Sequence, residues 1–222
     1  MSLLENIEGA LRVGVTLILS PLLRGSYNRW GATGEEIARA LPGDDLVAAP
    51  KLGYTRAITI RAPAAAIWPW LAQIGQGRGG FYSYDGLENL AGCNIHSADR
   101  LLPEHQEIRP GDVIRLGPKG YPCQRVVRAD PPHTLLMLGA DPKTEQAPDY
   151  PAPRSESDSI ASWLFHLVEQ PDGTTRLIVR QRLDYGRKLA LLWRIVEPLN
   201  FVMERKMLLG IKRRAEADPR GV

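Results

Sequence analysis

The densest group of chemistry-bearing residues is His96, Asp99, Arg100, Glu104 and His105. A carboxylate beside an imidazole orients the ring and fixes its tautomer, so His96 with Asp99 is the arrangement expected of an acid–base pair. His96, Asp99 and His105 fit no metal-site spacing and have no evident supporting shell, so no metal is expected. The alternative is that the group is a hydrogen-bonded surface segment pinning its own loop.

Other candidates flank this group. Gly75-Gln76-Gly77-Arg78-Gly79-Gly80 lacks the Lys-Ser/Thr of a phosphate loop and follows a helical pattern rather than a strand, so no nucleotide site is expected. It reads as a tight linker, or as part of a cavity mouth where Arg78 meets an anionic head group. Phe81, Tyr82 and Tyr84 come next, either as core or as pocket wall with hydroxyls for polar contacts. On a later strand, Trp163 and Phe165 share one face and His166 takes the other. Only one of those faces can line a cavity. Glu204 and Arg205 read as an adjacent charged pair, at the surface or at a cavity rim. There is no Gly-x-Ser-x-Gly, and neither Cys93 nor Cys123 stands in a nucleophile's frame with a histidine.

These residues need elements to position them. Residues 54–61 alternate as a strand, with Ile58 and Ile60 against Thr59 and Arg61. Pro63 ends the strand, and Pro69 predicts a turn and a kink before a helix proper that reaches Ile74. Ser83 is placed to cap a second helix over 84–91. Strands follow at 112–116, 124–129, 134–139, 160–169 and 174–185, the last two joined through Pro171-Asp172-Gly173. The proline-rich stretch 141–158 reads as a long loop. On the last strand Leu177, Val179 and Leu183 face one way and Arg176, Arg180 and Arg182 the other, which predicts one dry and one wet sheet face. From 187 to 217 a long helix carries Leu192, Ile195, Leu199, Val202 and Met203 at steps of three and four.

A chain of 222 residues with 44% hydrophobic and 24% charged residues is that of a globular protein with a substantial core. Twenty-eight basic against 25 acidic residues give a net charge of +3, too balanced to point to nucleic acid. Two cysteines supply no disulfide framework, and reduced thiols in the cytoplasm are expected. Residues 10–23 are largely apolar, with Leu11, Val15, Ile18 and Leu22 at helical spacing, and Pro21 is expected to close the run. The run is shorter than the roughly 20 residues of a membrane span, and Glu5 and Glu8 argue against a signal peptide. A helix packed on the domain or on another chain, a helix on a membrane surface through residues 1–24, and a span all stay open. Residues 34–41 form a short helical run in which Thr33 and Glu36 make a capping box. The resulting division is an N-terminal helix with an irregular connector over 1–52, the regular domain over 53–217, and a tail over 218–222.

This order gives an α+β fold in which a curved antiparallel sheet wraps around the long C-terminal helix. A helix across a strongly curved sheet leaves an apolar hollow on the order of a few hundred Å³. Its expected walls are Trp70, Phe81, Tyr82 and Tyr84 from the first half and Trp163, Phe165, Leu199, Val202 and Met203 from the second, with Arg78 at the mouth. Residues 54–217 also resemble a known family. The likeness runs through Ile58-Thr59-Ile60-Arg61-Ala62-Pro63, Ile67-Trp68-Pro69-Trp70-Leu71 and the segment from Gly75 to Asp85. It continues through Asn94-Ile95-His96-Ser97-Ala98-Asp99-Arg100 and Phe201-Val202-Met203-Glu204-Arg205-Lys206-Met207-Leu208. These segments are similar to the START-like or SRPBCC superfamily of polyketide cyclase/dehydrase and lipid-transport proteins. That resemblance implies a helix-grip fold with an internal apolar cavity and no cofactor. The expected job is binding or transport of a lipid, polyketide or aromatic metabolite. A cyclase or dehydratase using His96 or a tyrosine is the alternative, and a membrane-surface module is a third.

Overall fold

The computed structural model describes residues 3–147, 156 and 158–217. Two helices come first, α1 (Leu3–Tyr27) and the short α2 (Gly34–Ala38). Strand β1 (Leu52–Ile60) leads into α3 (Ala64–Ala72) and α4 (Asp85–Leu90). Then come β2 (Val113–Arg115), β3 (Cys123–Asp130), β4 (Thr134–Ala140), β5 (Ser159–Glu169) and β6 (Thr175–Tyr185), and α5 (Ala190–Ala217) ends the description. The strands form one antiparallel sheet in the order β1-β6-β5-β4-β3-β2. With α5 lying on its inner face and α3 and α4 following the first strand, this is a helix-grip arrangement. Residues 148–155 and 157 of the proline-rich segment after β4, and the tail 218–222, lie outside the described residues.

Alternation along the strands divides the sheet into two faces. Ile60, Val126, Leu135, Met137, Phe165, Leu177 and Val179 point inward and meet Ile67, Trp70 and Leu71 of α3 and Leu208 and Ile211 of α5. Gly210 lets α5 close on this layer, because a Cβ there would stand 2.4 Å from the Tyr82 carbonyl oxygen.

The other face is not wet. Residues 28–50 cover it, burying Leu41 and Val47 against Ala57, Leu136, Leu138, Ile160, Leu164 and Ile178. The arginines expected to meet water are staples for this covering segment. Arg180 is buried; it donates to the carbonyls of Glu36, Ile37 and Arg39, to Thr55 Oγ1 and, at 2.6 Å, to Asp44. Arg182 donates to the carbonyls of Val47 and Ala48, and Arg176 pairs with Glu36 at 2.7 Å. An irregular segment leaves its carbonyls without ladder partners, and a guanidinium has five donors to give them. The segment also guards an edge of the sheet, since Thr55 and Ala57 donate to the carbonyls of Asn28 and Trp30.

Three local expectations need correction. α1 runs through Pro21 to Tyr27. The proline removes one donor, but the Arg24–Glu197 ion pair and the Tyr27–Phe201 stack hold the last turn on α5. α3 is continuous across Pro69, its buried face of Ile67, Trp68, Trp70 and Leu71 outweighing one lost bond. Ser83 does not cap α4; its hydroxyl donates to the Met203 carbonyl on α5. The Thr33–Glu36 capping box forms as expected.

Candidate functional site

Most of the space inside the grip is filled by the chain's own side chains. Among the described residues, a hollow of about 150 Å³ lies between α4, α5 and β5, smaller than the few hundred Å³ expected. Phe81, Leu116, Trp163, Met203 and Met207 form its apolar walls, and Ser83, Glu88, Asn200 and Glu204 contribute polar atoms. The size reduction follows from the aromatic residues packed beneath it: Trp70, Tyr82 and Phe165 are buried in the core.

Trp163 reaches the hollow because odd-numbered residues of β5 point inward, and its indole Nε1 donates to Glu204 Oε1 at 3.1 Å. Glu204 is held from the other side by Arg56 Nη1 at 2.7 Å, an ion pair with both side chains almost fully buried. Asn200, one helical turn earlier, accepts from Arg56 Nη1 at 3.0 Å and lies 2.7 Å from the Tyr54 hydroxyl. Arg56 also donates through Nε to the Tyr27 carbonyl at the end of α1 and stacks over the Tyr54 ring at 3.7 Å. Burial pushes the Tyr54 phenol well above its ordinary value, and the Glu204 charge adds to that, so Tyr54 stays a neutral donor. Glu204 is therefore a structural anion with its charge matched.

Glu88 differs. It projects from α4 into the same hollow, and its Oε2 is buried without a hydrogen-bond partner. Loss of water raises its pKa to about 8, with a smaller push from Asp85. At neutral pH this carboxyl carries its proton and offers an O–H donor inside an apolar wall.

Of the expected wall residues, Phe81, Trp163 and Met203 line the hollow. The others stand elsewhere. Trp70, Tyr82 and Phe165 are core, and the Tyr82 hydroxyl donates to the Trp70 carbonyl. Tyr84 packs against α1 at Gly9 and beneath Lys206. Val202 is buried away from the hollow, and Leu199 is exposed. Arg78 is not at a mouth: Gly75 and Gly80 bond to each other across the glycine loop, and Arg78 donates to the carbonyls of Ala72 and His105.

The acid–base pair does not form either. His96 is exposed and contacts Asn94 Oδ1 at 3.0 Å, whereas Asp99 accepts from Arg214 of α5 at 2.6 Å. Asp85 holds Ser97, and Arg214 also takes the Ala98 carbonyl. The polar cluster pins its loop to α4 and α5. Glu204 and Arg205 are not partners; Arg205 stacks over Trp30 at 5.3 Å. His166 lies on the covered outer face against Thr134 Oγ1. Sequence reasoning missed Glu88, Ser83, Leu116, Asn200 and Met207 as lining residues. Asn200 carried a signal, a polar residue between Leu199 and Phe201, whereas Glu88, in a short helix with Asp85 and Asn89, carried none.

Fold and site together define a helix-grip protein with a small hollow holding one unpartnered acid. No family model matches the chain, and no curated protein does. Among solved structures, a hypothetical protein from Helicobacter pylori is similar with a TM-score of 0.45 at 9% identity, over 79% of this chain and 95% of its own. A conserved protein from Geobacillus kaustophilus gives a TM-score of 0.42 at 13% identity, over 74% of this chain and 95% of its own. A protein from Arthrobacter aurescens gives 0.42 at 13% identity, over 79% and 95%.

Proposed function

We propose that the chain is a START-like or SRPBCC protein that binds a small amphipathic molecule in the hollow between α4, α5 and β5. The observation that carries this reading is a hollow of about 150 Å³ with apolar walls, lined by Glu88, whose Oε2 is buried without a hydrogen-bond partner. A space of roughly that volume accommodates a benzene-sized molecule. The favoured ligand therefore has one aromatic ring or a short apolar segment, with an acceptor oxygen placed to take the Glu88 proton in a hydrogen bond. Larger lipids or polyketides would enter by one end only.

The same acid favours a second reading, a cyclase or dehydratase type of reaction on such a molecule. A neutral, largely desolvated carboxyl is a proton donor to a leaving hydroxyl or a carbonyl oxygen. Tyr82 and His96 do not serve there, being core and exposed respectively.

Benzene and phenol are the test probes, read by the methyl signals of Met203 and Met207. Both signals shift on titration if the reading is right, and phenol outperforms benzene through its oxygen. Met203→Trp and, independently, Leu116→Trp fill the hollow and abolish the shifts in protein that still melts cooperatively. Unmoved signals, or shifts that survive both variants, overturn the binding reading. Turnover of a bound hydroxylated ligand, lost in Glu88→Gln with binding retained, separates enzyme from carrier.

A further inference from the structure

We propose that α1 and the first half of α5 form a docking face for an anionic lipid bilayer, with α1 lying in the plane of the interface. Leu4, Ile7, Leu11, Val15, Ile18 and Leu22 recur along α1 at steps of three and four, and all are exposed, Ile18 by 79% and Leu22 by 83%. Single exposed leucines are ordinary on a soluble surface, but a continuous stripe along a 25-residue helix is not. The helix cannot turn this stripe inward, because its other side is already committed. Glu5 meets Lys206, Gly9 lies against Tyr84, Arg24 meets Glu197 and Tyr27 stacks on Phe201. α5 extends the surface with Leu191, Leu192 and Ile195, each more than half exposed.

The charges select the occupant. Arg187 and Lys188, just before α5, and Arg194, near its start, are exposed beside these leucines, Lys188 in a surface pair with Glu156 at 3.5 Å. A second copy of the same face would offer them no free acid, because Glu5, Glu8 and Glu197 are engaged by Lys206, Arg12 and Arg24. Anionic headgroups would satisfy them while the leucines enter the acyl boundary. α1 is long and apolar enough to cross a bilayer by length and composition. Crossing would tear both of its end contacts from α5, so it lies flat.

The test uses the full chain with vesicles of phosphatidylcholine, with and without phosphatidylglycerol. The expected result is co-sedimentation that requires phosphatidylglycerol and weakens with added salt. Replacing three exposed residues together, Leu11→Ser, Ile18→Ser and Leu22→Ser, should lower the partition coefficient by about tenfold or more. Arg187→Glu with Lys188→Glu should remove the phosphatidylglycerol dependence. Thermal melting in solution confirms that the variants fold. No binding to either vesicle, or binding unchanged by both sets of substitutions, overturns the proposal. So does a wild-type dimer in lipid-free solution that the serine variant converts to monomer, since a second copy would then be the occupant.

Discussion

Replacing Glu88 by Gln should stabilise the protein at alkaline pH and leave it unchanged in acid. The carboxyl has an ordinary pKa of 4.5, and the fold raises it to about 8. Below pH 4.5 it is protonated in both folded and unfolded chains and costs nothing. Between 4.5 and 8 the unfolded chain releases the proton while the fold retains it, so stability falls by about 1.4 kcal/mol per pH unit. Above pH 8 both states are ionised and the penalty is constant, at most about 4 to 5 kcal/mol. Glutamine resembles the protonated acid in shape and polarity but never ionises. The two proteins should therefore melt together at pH 4 and diverge steadily to pH 8. For a chain of this size the final gap corresponds to roughly 10 °C in Tm. Calorimetry or urea unfolding across pH 4 to 9 gives the comparison. Parallel curves would mean that Glu88 reaches water in the folded protein, and the argument for a dry acid in the hollow would fail.

Three further outcomes follow from the packing. Glu204→Gln leaves the Arg56 charge buried with too few acceptors and should cost about 3 to 5 kcal/mol in urea unfolding, whereas Arg56→Met with Glu204→Met should cost far less than twice that. Gly210→Ala forces α5 off the Tyr82 carbonyl and should lose about 1 to 3 kcal/mol, measured the same way. His96→Ala should change stability by less than about 0.5 kcal/mol and leave probe binding intact, because the ring is exposed and does not line the hollow. A large loss of binding there would restore His96 as a site residue.

Where local periodicity decides the structure, the sequence was readable. Alternation in β1, β5 and β6, the Pro171-Asp172-Gly173 hairpin and the Thr33–Glu36 box all depend on residues close in the chain. The inward face of β5, with Trp163 and Phe165, also follows from a period of two. Readings failed where a distant segment decides. Arg180 looked like a surface residue because nothing nearby in sequence shows that residues 36–44 fold over it. His96 and Asp99 looked like partners by spacing, but Arg214, more than a hundred residues away, takes the carboxylate. Glu204 and Arg205 are neighbours that a helix turns to different sides, and the true partner, Arg56, lies on β1. Glu88 stood in an unremarkable short helix, and its isolation comes from α5 and β5 closing over it.

Arg56 has a consequence beyond holding Glu204. Its guanidinium joins the end of α1, through the Tyr27 carbonyl, to the α5 turn that walls the hollow. Its Nη2 already lacks a partner, so the group has no reserve. Moving α1 away would strip the buried cation of another acceptor and raise the free energy of the arrangement around Glu204 and Trp163. The seating of the first helix and the position of the Glu204 wall therefore depend on one guanidinium, so a change at either end is felt at the other.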